Sequence, residues 1–188
     1  MDTGGAFEKR GRALEDEFFY RVDKKLGEEM RAKMAAEAQK QALASACGLL
    51  DDRLLETLVA AKITAESLVA LTLVPLVRVA WVDGKMDERE REAVLAAAHE
   101  NECPRGSAGH TLLQRWLNEQ PPESLFETWQ EYTRALCANL PDSSRDELRQ
   151  QIVQNVRNVA EAAGGILGIH RISSKEEAVL KEIEAVFS

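Results

Sequence analysis

The stretch from Leu68 to Val82 sets the terms for the rest of the chain. It is apolar on nearly every side of a helix and is interrupted by one charge, Arg78. Such a segment cannot lie on a protein surface. It is also shorter than the roughly 20 residues that a membrane-spanning helix needs. It therefore reads as a central core helix over residues 65–82, opened by Thr64 as N-cap, with Leu76 and Trp81 buried. Pro75 within it removes one hydrogen bond and crowds the carbonyl of Leu71, which predicts a kink there.

Everything around this segment reads as helix. Ala, Leu, Glu, Arg and Gln are in excess, and aromatic residues make up only 5% of the chain. That is the composition of good helix formers. Leu54, Leu55, Leu58 and Val59 mark an inward face over residues 51–62. Asp83-Gly84 closes the central helix, and Asp87 opens another that runs to Glu100. Ser107 caps a helix bearing Leu112, Leu113, Trp116 and Leu117. Pro121-Pro122 starts the next, with Leu125, Trp129, Tyr132, Leu136 and Leu140 on one face. Leu148, Ile152, Val156, Val159 and Ala163 place a long helix from Ser144 to about Ile169, with Gly164, Gly165 and Gly168 near its end. Ser173 and Glu176 have capping-box spacing and launch the last helix, to Phe187. The expected fold is all-α: a compact helical bundle with a long N-terminal helical arm.

That arm spans residues 1–46, and the compact domain residues 47–188. From Phe7 to Ala46 there is no proline. Leu14, Phe18, Val22, Leu26, Met30 and Met34 recur every fourth residue on a helix otherwise covered in charge. This stripe needs a cover, either the rest of the chain, a second copy or a protein partner.

The formal net charge is −8, and basic residues are interleaved with acidic ones. An acidic chain without a basic patch repels phosphate backbones, which argues against nucleic-acid binding. Cys47, Cys103 and Cys137 are odd in number, far apart and free of C-x-x-C spacing, as expected in a reducing compartment. Residues 1–12 contain no apolar stretch resembling a signal peptide. The expected location is the cytoplasm. His99, Cys103 and His110 lack a fourth zinc ligand and read as surface or packing residues. No Ser-His-Asp order, P-loop or phosphate-binding glycine loop occurs, so catalysis has no anchor and the chain reads as a non-enzyme.

The most distinctive element is A-x-x-D-G-x-x-D-x-x-E, from Ala80 to Glu90. Asp83, Asp87 and Glu90 fall within one tight turn, and a hard cation such as calcium takes several such oxygens. The EF-hand pattern is not met, because Lys85 and Glu88 occupy positions that loop reserves for other residues. The same residues also make a purely structural set, with Gly84 as a left-handed C-cap, Asp87 as N-cap and Glu90 completing a capping box. A fainter copy of the unit at residues 77–90 recurs over residues 163–176.

Together with Pro75-Leu76-Val77 and the run Ala162 to Gly168, this element resembles the tellurite-resistance TerB-like family over about residues 50–187. The resemblance implies a compact domain of two helical repeats, found in bacterial stress-response systems and without enzymatic activity. It implies no required cofactor, and divalent-cation binding through Asp83, Asp87 and Glu90. In the second repeat the positions matching Asp83 and Asp87 are Ile169 and Ser173, which departs from the acidic pattern.

The segment G-G-A-F-x-K-R-x-x-A-x-E-x-x-F-F, starting at Gly4, resembles the inhibitory segment of the mitochondrial ATP synthase inhibitor over about residues 4–31. That resemblance implies a helix able to insert into the catalytic head of a rotary ATPase, with Phe7, Glu15, Phe18 and Phe19 at matched contact positions. The segment has no histidine, so a histidine-based pH switch is absent from it.

Overall fold

Pro75 decides how the central segment is built. In a computed structural model, which describes residues 4–163 and 172–187, that segment is not one kinked helix. Ala65–Leu73 forms a 3₁₀ helix, and a separate short α-helix runs from Val74 to Ala80 with Pro75 in its first turn. Proline has no N–H for the carbonyl of Leu71. The N–H of Val74 takes that carbonyl instead, through the tighter 3₁₀ pattern. In the first turn of a helix the missing donor costs nothing, because no acceptor waits for it. The expected mid-helix kink is thus a boundary between two helices.

Among the described residues the elements are α1 (Gly4–Cys47), α2 (Asp52–Ala60), the 3₁₀ segment, α3 (Val74–Ala80), α4 (Glu88–Glu100) and α5 (Ala108–Asn118). They continue as α6 (Glu123–Cys137), α7 (Asp142–Ala163), α8 (Ser174–Glu184) and a last 3₁₀ turn, Ala185–Phe187. No strand occurs among them. The all-α class is therefore established. Gly164, Gly165, Gly168 and Ile169 lie outside the described residues, and with them the middle of the second repeat. α7 begins at Asp142, directly after Pro141 and two residues before the expected Ser144. No single helix among the described residues is long and apolar enough to cross a membrane.

Contacts group the chain into residues 1–41 and residues 42–188. In the larger unit α3 is the hub and packs on α6, α7 and α8, while the 3₁₀ segment packs on α5. Leu71, Leu76, Val77 and Val79 are buried there with Leu113, Leu117, Trp129 and Ile183. Trp129 stacks on Phe126 at 5.3 Å between ring centres and meets Phe187 edge-on. Close packing of the 3₁₀ segment on α5 depends on Gly109, where a Cβ would fall 2.9 Å from Val69 Cγ1. Arg78, the charge in the apolar run, lies over the Phe126 ring and pairs with Glu123 and Glu182. Trp81 is half-buried rather than fully buried. It ends α3, and its indole Nε1 donates to the Trp116 carbonyl at 2.8 Å.

The helix starts follow local chemistry. Thr64 and Ser67 form a reciprocal capping box, Asp51 accepts from Leu54 N–H, and Ser107 accepts from His110 N–H. Leu43, in the last turns of α1, is fully buried, and Gly48 follows the helix at φ +69°.

Leu76 is 1% exposed and Leu50 is 89% exposed. Leu76→Ala should lower unfolding stability in denaturant by about 2–5 kcal/mol, whereas Leu50→Ala should change it by less than about 0.5 kcal/mol. Equal effects would remove α3 from the centre of the core.

Candidate functional site: the acidic turn and the helical arm

The turn between α3 and α4 is built by hydrogen bonds that its sequence spacing dictates. Gly84 adopts φ +81°, open to glycine but strained for other residues, and its N–H returns to the Trp81 carbonyl at 2.9 Å. Asp83 Oδ1 accepts from Lys85 N–H at 3.0 Å, and Asp87 Oδ1 accepts from Arg89 N–H at 2.8 Å. Glu90 Oε2 reaches back to accept from Asp87 N–H at 3.0 Å, which completes the capping box at the start of α4. The structure thus gives Asp87 and Glu90 capping roles at the start of α4, while Asp83 closes a local turn onto Lys85.

Glu90 differs from the other two. Asp83 and Asp87 are exposed, but Glu90 is only 5% exposed. Its carboxyl is raised to about 7: burial pushes it up most, the bond from Asp87 N–H pulls it partly back, and the nearby Asp83, Asp87 and Glu176 add to the rise. Glu176 belongs to the matching capping box at the start of α8, where Ser173 N–H donates to it, and it too is buried. The two boxes thus bring buried glutamates far apart in sequence into one electrostatic neighbourhood. The sequence shows both boxes by their spacing, but carries no local sign that one glutamate acts on the other.

Among the described residues no three His, Cys, Asp or Glu side chains are grouped as a metal site. A cation at this turn would have to draw Asp83, Asp87 and Glu90 closer together, using the carboxylate oxygens that the local hydrogen bonds leave open. His99 is exposed, while His110 is buried in α5. Cys103 is buried, and its thiol is pushed up by that burial with Ser107 opposing it.

The backbone of Phe7, Glu15, Phe18 and Phe19 belongs to α1; their side chains lie outside the described residues. Farther along α1, Tyr20, Val22, Leu26, Met30 and Met34 are exposed, Leu26 by 61% and Met34 by 68%. The chain matches no family model, no curated protein and no solved structure.

The Glu90 carboxyl makes stability depend on pH in a defined direction. Between its ordinary 4.5 and its folded value of about 7, the folded chain holds a proton that the unfolded chain has released. Stability should therefore fall as pH rises across that window, by on the order of 3 kcal/mol, and flatten above it. Glu90→Gln keeps an acceptor for Asp87 N–H but has no proton to lose. Thermal midpoints from pH 4 to 9 should show the variant gaining on the wild type as pH rises. Parallel curves would mean that Glu90 ionises as an ordinary surface carboxylate.

Proposed function

We propose that this protein is a non-enzymatic binding module, a TerB-like helical domain whose N-terminal helix presents the partner surface. The observation that carries the reading is the exposed apolar row Val22, Leu26, Met30 and Met34 on α1. Solvent-facing apolar residues aligned on one helix mark an interaction site far more than scattered ones do. Their spacing also says what kind of helix would cover them. A row at every fourth residue is a ridge inclined to the helix axis, and two such ridges interlock at about −50°. A coiled-coil seam would instead repeat every 3.5 residues. The cover is thus a crossing helix, from a protein partner or a second copy.

The likeness of residues 4–31 to the ATP synthase inhibitor makes the rotary ATPase head the first partner to test. Leu26→Asp with Met30→Asp should leave the compact unit of residues 42–188 folded, because neither side chain belongs to its buried core. The wild type should either sediment as a concentration-dependent oligomer or bind an isolated ATPase head in the presence of ATP at micromolar concentration, and the double variant should do neither. A wild type that stays monomeric and leaves the head unbound removes the reading.

A second reading is a divalent cation, such as calcium, at the turn of Asp83, Asp87 and Glu90. It is favoured by the mutual repulsion of the carboxylates around Glu90, which a cation would relieve. A ligand held only by the folded state stabilises by about 2.7 kcal/mol at 100 times its dissociation constant. Millimolar calcium should then raise the thermal midpoint of the wild type. Asp87→Asn, which caps a helix nearly as well as aspartate, should abolish the shift while leaving metal-free stability intact. No shift in the wild type leaves the turn as a cap alone.

A further inference from the structure

A cleft of about 480 Å³ opens between the end of α2, the outer face of α5 and the start of α6. This is the size of a small-molecule site. Leu112, Trp116, Pro121 and Leu125 supply apolar walls, and Ser124 adds a hydroxyl group. Three charged side chains line it: Lys62, Arg115 and Glu119. Two cations against one carboxylate make a local positive excess on a chain whose net charge is −8.

Neither cation is neutralised. Among the described residues, Lys62 and Arg115 are exposed and have no ion-pair partner, and the indole N–H of Trp116 makes no hydrogen bond within the chain while keeping contact with solvent. The contrast lies next door. A smaller cleft of about 150 Å³ shares Gln120, Pro121, Pro122 and Leu125, but its cation, Arg78, is already engaged by Glu123, Glu182 and the Phe126 ring. Positive charge open to a ligand therefore belongs to the larger cleft.

Lys62 is held there against its backbone preference. It closes α2 in a Schellman turn, with its own N–H on the Val59 carbonyl at 2.9 Å and Ile63 N–H on the Leu58 carbonyl at 3.0 Å. Its φ is +61°, a conformation glycine adopts at less cost. Gly48, Gly84 and Gly106 fill other left-handed positions, and Glu102 is another non-glycine exception. Glu102 shows that a charged residue in such a turn is not by itself a ligand signal. What sets Lys62 apart is that its side chain lines a cleft beside a second unpaired cation and an unused N–H donor.

We propose that this cleft binds an amphipathic monocarboxylate. The carboxylate is held by Lys62 and Arg115 with the Trp116 N–H as third donor, and the apolar body lies along Leu112, Pro121 and Leu125. The planar guanidinium fork matches a carboxylate. Glu119 opposes a second negative charge, which selects a monoanion over a dianionic phosphate.

The test is calorimetric titration of the full-length chain with decanoate, with decan-1-ol as the uncharged control. Decanoate should bind one per chain, and decan-1-ol at least about tenfold more weakly, since a hydrogen bond to a charged group carries that much discrimination. Arg115→Gln and Lys62→Gln should each weaken decanoate roughly tenfold. Lys62→Gly should weaken it equally while raising the thermal midpoint, because glycine relieves the turn. Loss of binding in a variant more stable than the wild type cannot be ascribed to unfolding. The proposal is overturned by silence at millimolar decanoate, by equal affinity for decan-1-ol, or by full affinity in Arg115→Gln. An oligomer that decanoate dissolves would give the cleft to a second copy and overturn it as well.

Discussion

The architecture rests on a hydrogen bond that cannot form. Pro75 brings no N–H to the carbonyl of Leu71, and Val74 takes its place one residue earlier. That shift separates a 3₁₀ segment from α3, so the most apolar stretch of the chain serves two sets of neighbours. The 3₁₀ part lies against α5, and α3 lies against α6, α7 and α8. A single straight helix could present those side chains only along one axis. The cost of the irregular segment is covered by burial, since Leu71, Leu73, Leu76 and Val79 are almost wholly removed from water.

One charge rides on this apolar core, and its neighbours explain why it is tolerated. Arg78 keeps its guanidinium near the surface, with Glu123 at the start of α6 and Glu182 in α8 on either side and the face of Phe126 beneath. The three contacts come from two helices distant in sequence, so Arg78 helps fix how α6 and α8 meet α3. Charge-assisted contacts of this kind are geometrically demanding, and a lysine could not reproduce the planar stacking.

What could be read from the sequence follows the range of the interaction. Caps at Thr64, Asp87, Ser107 and Ser173 depend on residues two to four positions apart, and the structure forms each of them. The helical faces of α5 and α6 follow from periodicity alone. Pro75 misled because a proline inside an apolar run is compatible with a kink and with a fresh start, and only the local backbone distinguishes them. Trp81 is only half-buried because its neighbours at the end of α3 are set by α5, far along the chain. At the acidic turn, the left-handed Gly84 and the capping roles of Asp87 and Glu90 were legible. The deep burial of Glu90 and the influence of Glu176 on it were not, since both depend on tertiary packing between segments far apart in sequence. The cleft beside Lys62 belongs to the same class, being assembled from three elements with no shared motif.

The tight seam at Gly109 bears on the reactivity of the thiols. A Cβ at that position would lie 3.2 Å from Cys103 Sγ, and Cys103 is only 1% exposed, so the sulfur is closed off from reagents in solvent. Its thiol is also held protonated by burial, and Cys137 is buried and shifted in the same sense. Only the thiolate reacts with oxidants and alkylating reagents. Modification at Cys103 must therefore wait for the 3₁₀ segment and α5 to part. The sulfur works as a clock for that opening, and its labelling rate reports how often the central seam comes apart in an otherwise folded molecule.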